Sequence, residues 1–264
     1  MPAIAFLGER PTGGLAGLAC TPHATESAQL CSVVDGSPLG ALPVGTAGDL
    51  AEAVRRAGSA QRAWAAMPVA FRLAPFKRLV GLLDSYRHPM AEVLRAETGI
   101  DPATAEDQVA RSGPESLRVA RAGMRVLRPV RHRTGLRTTA VERHEPRGVV
   151  GIVPDPAAPF DPVTATAALV AGNGVVLLPE LRCGFTALFL TRLLAASRLP
   201  ADLVQVVPGR AGLAAAAAAA VDHMVADPVT ADGLEDACAG HGTALASGPR
   251  TDPLDFTTSR VARR

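Results

Sequence analysis

The sequence predicts an α/β fold, a Rossmann-like doubly wound parallel sheet preceded by a helical segment. Two short apolar runs, at 148–153 and 175–178, lie close together in the chain. Apolar runs without alternation are typical of parallel strands covered on both faces. The residues between them favour a helix that stops at Gly172 and Asn173. The two runs and the helix therefore predict a right-handed βαβ unit.

The same alternation continues downstream, which is the second observation behind this fold class. Helices are predicted at about 185–196 and 213–220, and strands at 203–207 and 223–226. Strands that alternate with helices indicate a parallel sheet with helices on both faces. In such sheets, ligands bind at the carboxyl ends of the strands. The loops that follow the strands are therefore where a functional site is expected.

The helical segment begins at about residue 46, where Thr46 and Asp49 fit a capping box. Asp101 and Pro102 predict another helix start, with an N-cap followed by a first-turn proline. By the same logic, Ser112-Gly-Pro-Glu115 predicts a separate helix. Further helices are predicted at 71–85 and 89–98.

The predicted organisation has three parts. Residues 1–45 are predicted to form loops and short strands, and residues 46–239 the α/β domain with its amino-terminal helices. Residues 240–264 are rich in Gly, Pro, Thr and Arg, and we expect a loose tail. A weakly alternating segment at 136–145 is predicted to be an exposed strand.

Composition excludes several classes of function. A net charge of +2 gives no sign of a nucleic-acid partner, and no apolar run reaches the length of a membrane span. The four cysteines lack paired spacing, so neither zinc nor another metal is expected. The amino terminus does not resemble a secretory signal. We therefore expect a cytoplasmic protein without nucleic-acid or membrane partners.

Six short pieces of the chain carry a family resemblance. They are AQRAWAAMPVAFRL (60–73), RAETG (95–99), PRGVVGIVP (146–154), ALVAGNGVVLLPE (168–180), TAL (186–188) and LPADLVQVVPG (199–209). In order and spacing they resemble the aldehyde dehydrogenase superfamily, and within it the succinate-semialdehyde dehydrogenases. The resemblance covers about residues 30–235. It implies a cofactor-binding domain whose family cofactor is NAD or NADP.

The family's chemistry makes demands that this chain does not meet after its first strand. Family members form a thiohemiacetal on a cysteine, pass a hydride to the cofactor and hydrolyse the thioester with a glutamate-activated water. Their first strand is followed by Pro-Trp-Asn, whose Asn amide holds the developing oxyanion. This chain has Pro154-Asp155-Pro156 instead. No amide is present, and the Asp155 carboxylate would repel an oxyanion.

The family's cofactor contacts are altered in the same way. Its ribose-binding lysine corresponds to Leu178, and its third loop survives only as Gly209 and Gly212 with disturbed spacing. Its Phe-Thr-Gly-Ser motif, whose serine caps the pyrophosphate, is replaced by Ala226-Asp227-Pro228-Val229, where a carboxylate repels phosphate and a proline lacks an N–H. The degenerate remnants of the cofactor site are Pro154, Asp155, Leu178, Pro179, Glu180, Gly209 and Gly212.

The family's glutamate base and cysteine nucleophile lie downstream of this domain. The nearest counterpart of the base motif is Ala246-Ser247-Gly248-Pro249, which has no acid, and the nucleophile domain is expected to be absent. We therefore assign no catalytic residue, expect no bound cofactor and interpret the chain as a non-catalytic relative. The alternative is an NAD(P)-dependent aldehyde oxidoreductase with an atypical site.

For several residues, a functional interpretation competes with a purely structural one. Asp155 and Asp227 are metal-ligand candidates, although simple loss of the ancestral site also explains them. Cys238 near His241 suggests a catalytic pair, and Cys183 precedes a helix, but inert packing explains both. Four arginines at helical spacing suggest an anion site, or else a solvated or subunit-facing stripe. They are Arg118, Arg121, Arg125 and Arg128.

The segment 136–145 predicts assembly. In the family, this region forms a hairpin that reaches a second subunit. An exposed edge strand is a liability unless something pairs with it. The resemblance therefore implies a homo-oligomer, or a hetero-oligomer with a full-length dehydrogenase paralogue. The expected interface residues on this edge are Leu136, Thr138, Thr139, Val141 and Arg143.

Overall fold

The computed structural model describes residues 15–133, 139–248 and 250–263. These residues form a five-stranded sheet, a three-stranded sheet and a two-stranded hairpin, with helices around them. The strands are β1 (Ser27–Cys31), β2 (Pro38–Pro43), β3 (Val130–Arg133), β4 (Thr139–Pro146), β5 (Val149–Val153), β6 (Gly174–Leu177), β7 (Val204–Val206), β8 (His223–Ala226), β9 (Ala244–Ser247) and β10 (Thr257–Arg263). The helices are α1 (Ala47–Ala66), α2 (Val69–Ser85), α3 (Arg87–Thr98), α4 (Pro102–Val126), α5 (Pro162–Ala171), α6 (Gly184–Ala196), α7 (Ala211–Ala217), α8 (Pro228–Asp232) and α9 (Glu235–His241).

The five-stranded sheet has the order β7-β6-β5-β8-β9, and all its pairings are parallel. Every residue of β5, β6 and β8 is buried, as their uninterrupted apolar runs predict. The predicted α/β class with a parallel sheet is therefore confirmed. The sheet gains β9 from the segment that was expected to be a loose tail.

The helical segment follows its predicted caps but not its predicted break. Thr46 and Asp49 form the capping box at the start of α1, and Asp101 caps α4. The prediction of a separate helix at Ser112 is wrong, because α4 runs unbroken through Pro114. At this point α4 packs against α2, and a Cβ on Gly113 would lie in ordinary contact, 3.4 Å, with the Cα of Val80. Tertiary packing therefore overrides the local signal for a helix start.

Three side chains from α1 and α2 satisfy the carboxyl end of α5. Gln61 and Trp64 donate to the carbonyls of Gly172 and Leu169, at 2.9 and 2.7 Å. Arg72 donates to the Val170 carbonyl at 3.0 Å. Terminal carbonyls of a helix lack partners within the helix, so these bonds replace the missing ones. We call these three side chains, with Glu97 and Asn173 described next, the buried caps.

Arg72 also ties the end of α1 to α5. Its guanidinium donates to the carbonyls of Ala65 and Met67, at 2.7 and 3.1 Å. The side chain is only 5% exposed, and burial lowers its pKa to about 10, which still leaves it charged at neutral pH. A cation at the carboxyl ends of two helices is favoured by their dipoles.

Asn173 is structural, as the sequence suggested, although it is not the residue with positive φ. Gly172 takes the left-handed conformation, with φ of 104°. The Asn173 side chain donates to the carbonyls of Ala168 and Phe256, both at 3.0 Å, and accepts from the Gly148 N–H at 2.9 Å. One buried amide therefore joins α5, the start of β5 and the segment before β10.

Glu97 caps α6 from the end of α3. Its carboxylate accepts from the backbone N–H groups of Phe185 and Thr186, at 2.8 and 2.9 Å. A carboxylate at a helix amino terminus satisfies orphan donors and complements the dipole. Burial nevertheless raises the pKa of Glu97 to about 7.

The prediction that 240–264 is a loose tail is wrong for the residues that the structure describes. β9 joins the parallel sheet, and β10 pairs along the whole of β4 from Thr257↔Pro146 to Arg263↔Ala140. Phe256 is fully buried and packs edge-on against the ring of His223, with centroids 5.8 Å apart. The Gly and Pro content of this segment supplies turns between short strands.

The predicted edge strand is also in a different position. Leu136 and Thr138 lie outside the described residues, and Thr139, Val141 and Arg143 belong to β4. β4 is the central strand of the order β10-β4-β3, paired with β10 over residues 140–146 and with β3 over residues 139–142. The prediction that this strand is an edge is therefore wrong, because β10 covers it.

Candidate ligand site at the strand ends

The carboxyl edge of the parallel sheet opens into two cavities on either side of the end of β5. The smaller, about 290 Å³, lies against α7 and α8; the larger, about 390 Å³, lies against α4 and α5. Val153 lines both. This is the position at which ligands bind in open parallel sheets, and it makes the strand ends the candidate site.

The predicted site residues are divided between these cavities. Pro154 and Asp155 line the larger cavity. Gly212 lines neither and faces a third space beside α7. The smaller cavity is lined by Leu178, Pro179, Glu180 and Gly209. The residues that the sequence grouped as one remnant therefore do not form one surface.

Leu178 belongs to the apolar interior at this edge. It is 4% exposed and lies in the same buried cluster as Val153, Val176 and Val207. Its N–H donates to the Ile152 carbonyl at 2.9 Å, which continues the ladder between β5 and β6. The position therefore contributes packing and no charge to the cavity.

Leu213 is a site residue that sequence reasoning missed. A Cβ added to Gly209 would lie 2.4 Å from Leu213 Cδ2, so the bare glycine accommodates this leucine. The Gly209 N–H donates to the Pro179 carbonyl at 3.1 Å, and the Leu181 N–H donates to the Gly209 carbonyl at 3.2 Å. The loop after β6 and the loop after β7 therefore satisfy each other's backbone hydrogen-bonding groups. In the sequence, the feature that could have predicted this filling is Leu213, a large apolar residue four positions after Gly209.

The arginines around the smaller cavity are already engaged with acids. Arg210 lines it and forms an ion pair with Glu26, and Arg182 pairs with Glu180 at 2.8 Å. Both guanidinium groups are largely exposed, at 66% and 64%. Exposed pairs of this kind are weak, and they leave no buried cation in the cavity lining.

Two carboxylates follow β5 and β8. Asp155 accepts from the Ala157 N–H at 2.8 Å, and Asp227 accepts from the Thr230 N–H at 3.1 Å. Both line the larger cavity, together with Glu115 and Asp161, and Phe160 supplies an aromatic wall. The larger cavity is thus acidic as well as apolar.

These residues do not fit the diphosphate of NAD or NADP. The carboxylates at the strand ends repel a dianion, Pro228 offers no N–H, and Leu178 offers no charge. The glycine loop, which would let a phosphate approach, is filled by Leu213. We derive no chemical step through this cofactor.

The two candidate thiols, Cys183 and Cys238, are buried. Burial raises the pKa of Cys183 to about 12 and also raises the pKa of Cys238, so neither is poised as a thiolate. In the described part of the chain, no three His, Cys, Asp or Glu side chains come together to hold a metal ion. Nor does any helix there have the length and apolar character needed to cross a membrane.

The arginine stripe on α4 is solvent-exposed. Arg118 pairs with Glu115, with Nε 2.9 Å from the carboxylate, and Arg121, Arg125 and Arg128 are exposed. The stripe therefore carries no built anion site.

Comparison with known proteins finds similarity to one family. The model of the aldehyde dehydrogenase family matches residues 21–236. A Mycolicibacterium smegmatis protein named for succinate-semialdehyde dehydrogenase activity with NADP(+) is 35% identical over 195 residues, 70% of this chain and 37% of that protein. Vanillin dehydrogenase of an Amycolatopsis species is 31% identical, over 69% of this chain and 38% of its own length.

Solved structures show the same fold. An NAD-dependent aldehyde dehydrogenase from Sinorhizobium meliloti superposes with a TM-score of 0.79 at 22% identity, covering 84% of this chain and 46% of that one. An NADP-dependent glyceraldehyde-3-phosphate dehydrogenase from Bacillus halodurans gives a TM-score of 0.78 at 19% identity, covering 84% and 49%. The chain spans less than two fifths of the length of the curated relatives described above.

Proposed function

The chain belongs to the aldehyde dehydrogenase family, and from that premise we propose that it does not oxidise aldehydes and acts by associating with another protein. The associated protein is a second copy of this chain or a full-length dehydrogenase paralogue. The observation that carries the proposal is the chemistry of the strand ends. Leu178 stands where the resemblance implies a ribose-binding lysine, and Asp155 and Asp227 lie in the loops where it implies an oxyanion-holding amide and a phosphate-binding hydroxyl.

The geometry supports this proposal at each of those positions. Leu178 is packed inside an apolar cluster, and the two aspartates each hold a backbone N–H of their own loop. Leu213 occupies the space beside Gly209. A catalytic site needs donors aimed at developing negative charge, and these residues supply acids and apolar groups.

The three-stranded sheet supports the association half of the proposal. β3 and β10 are its outer strands, and all four residues of β3 are exposed. Exposed strand edges are ready-made surfaces for pairing with another chain. The edge available to a partner is therefore that of β3, not the edge of β4.

The second candidate is an NAD(P)-dependent aldehyde oxidoreductase with an atypical site. The specific observation in its favour is that two cavities remain open at the strand ends of the parallel sheet. Their lining would have to bind a cofactor by contacts other than those that the resemblance implies.

Turnover and cofactor binding separate the two candidates. We expect the purified protein to reduce neither NAD nor NADP above a no-enzyme blank with succinate semialdehyde or simple aldehydes. Calorimetry should show no NAD(P) binding tighter than about millimolar, because binding by an adenine slot alone gives about 4 kcal/mol. An active succinate-semialdehyde dehydrogenase is the positive control. Turnover that disappears in Cys183→Ala or Cys238→Ala would refute the non-catalytic proposal.

Association is tested separately. Size-exclusion chromatography with light scattering should show an oligomer, or a pull-down from the native cell should recover a dehydrogenase. A strictly monomeric protein that recovers no partner would contradict the association half.

A further inference from the structure

We propose that one face of the three-stranded sheet binds an acidic, extended segment of a partner protein. The inference deepens the proposed function and rests on it, since it names the chemistry of the associated surface. The face is defined by Arg131, Arg133, Arg143 and Arg260, and we call it the arginine face.

The pairing register places these four side chains together. Arg143 lies directly opposite Arg260, and Val141, two residues before Arg143, lies directly opposite Arg131. Directly paired residues share a face, and residues two apart on one strand share it as well. Arg133, two residues after Arg131, completes the set. All four arginines are exposed.

The opposite face packs against the body of the protein only in part, since Val130 and His132 of β3 lie on it and are exposed. Ala140 and Thr257, which lie on it, are 4% and 8% exposed. Glu142 on that face is engaged with His132 and Ser259, at 3.1 and 2.7 Å. The arginine face differs from it in concentrating exposed positive charge.

Charge on the arginine face is unbalanced. Glu145 shares the face and lies 3.4 Å from Arg260. The other three arginines have no ion-pair partner among the described residues. Arg143 and Arg260 are also directly opposed, and like charges in that arrangement destabilise a sheet. An anionic partner would remove this repulsion as well as pair the guanidinium groups.

The strand geometry favours an acidic peptide over a nucleic acid. The described residues on the arginine face include no Phe, Tyr, Trp or His, so bases have no aromatic ring to stack on there. In an extended peptide, alternate side chains share a face at a spacing of about 6.6 Å, which matches Arg131 and Arg133 along β3. Guanidinium groups pair bidentately with carboxylates.

The outer edge of β3 supplies backbone pairing for the same segment. β3 has β4 on one side and no other strand among the described residues on its other side. A peptide that adds to this edge forms main-chain hydrogen bonds, while its alternate side chains meet the arginines. Both features point to one extended acidic occupant.

The test uses the intact protein and a fluorescein-labelled peptide, (Glu-Thr)₄, measured by fluorescence anisotropy at about 50 mM salt. The variant Arg131→Glu/Arg143→Glu should weaken binding by at least about tenfold. The matched control is Arg62→Glu/Arg78→Glu, which changes the same charge at two exposed arginines of α1 and α2. The control should stay within about twofold of wild type.

A gentler variant protects the test against misfolding. Arg131→Gln/Arg143→Gln keeps the length and polarity of both side chains and should lose binding to an intermediate extent. Circular dichroism of each variant should match wild type. The uncharged peptide (Gln-Thr)₄ should bind wild type much more weakly than (Glu-Thr)₄.

Three outcomes would overturn the proposal. They are no peptide binding by wild type, an equal loss in the control variant, or tighter binding of a single-stranded oligonucleotide than of the peptide. Oligomerisation or partner recovery that persists in the Arg131→Glu/Arg143→Glu variant would overturn this inference while leaving the proposed function intact. Aldehyde turnover would instead overturn the non-catalytic half of the proposed function.

Discussion

The buried caps and the strand-end loops lie within the same domain and differ in how well they match the family resemblance. The caps Gln61, Trp64 and Arg72 lie in the piece 60–73, which resembles the dehydrogenases, and each holds a backbone carbonyl of α5. The strand-end loops carry Asp155 and Asp227, where the resemblance implies ligand-binding groups. The caps therefore lie in a piece that matches the resemblance, whereas the strand-end loops depart from it.

This difference between the two regions separates residues that the fold requires from residues that only a ligand requires. A buried helix end without partners costs free energy in every folded molecule, whatever the protein does. A residue that contacts only a ligand costs the fold nothing when it changes. Part of the family resemblance of this chain therefore lies in residues that satisfy backbone groups, and that part is evidence about the fold more than about catalysis.

Removing a cap should have the largest effect. Arg72→Ala leaves three carbonyls without their donor and should lower the free energy of unfolding by about 3–5 kcal/mol. Urea unfolding followed by circular dichroism measures it. Arg78→Ala, an exposed arginine on the same helix, is the control and should stay within about 0.5 kcal/mol. Similar losses in both variants would contradict the role of Arg72.

The next largest effect concerns two buried titratable groups, Glu97 and His223, whose effects on the pH dependence of stability have opposite signs. Burial raises the pKa of Glu97 from 4.5 to about 7, so its contribution to stability falls as the pH rises through that range. Burial, with Arg147 and Arg250 nearby, lowers the pKa of His223 from 6.5 to about 4. The contribution of His223 to the free energy of unfolding is fully present above pH 6.5 and is lost as the pH falls from 6.5 to about 4. Each amounts to about 3 kcal/mol.

Wild type should therefore show nearly constant stability between pH 4.5 and 6.5, the range in which both groups titrate. Glu97→Gln should expose the histidine, with stability rising by about 3 kcal/mol from pH 4 to 6.5. His223→Phe should expose the glutamate, with stability falling as the pH rises. Urea midpoints across the pH range measure both slopes. Parallel profiles in the two variants would contradict the assignment.

The strand-end loops should give the smallest effect. Asp155→Ala removes one hydrogen bond, to the Ala157 N–H, and should change the free energy of unfolding by less than about 1 kcal/mol. Chemical denaturation beside the Arg72→Ala variant provides the comparison. A loss as large as that of Arg72→Ala would mean that this loop, too, is held by a structural need.

The sequence predicted those elements whose signals are local. The uninterrupted apolar runs of β5, β6 and β8 predicted buried parallel strands, and Thr46 with Asp49 predicted the capping box of α1. Both depend on residues that are near one another in the chain. Leu178 and Asp155 were placed correctly at strand ends for the same reason.

The errors came from contacts between distant residues. α4 continues through Pro114 because Gly113 packs against α2, and no local pattern records that approach. β4 was expected to be an edge because its partner β10 lies in a segment of Gly, Pro and Arg that suggested no strand. The remnant residues line separate spaces, and which space each residue lines depends on the packing of α7, α4 and α5 against the strand ends, which no local pattern records.

The pairing of β10 with β4 sets an order of events during synthesis. The hydrogen bond between Ser259 and Glu142 joins residues 117 positions apart, so β4 emerges from the ribosome long before its cover. Until then, β4 presents a bare edge beside the parallel sheet, and such edges recruit other chains. Distant pairings also form slowly, since a long loop must close first. The nascent chain therefore passes through an interval in which it is most open to chaperones and to neighbouring nascent chains.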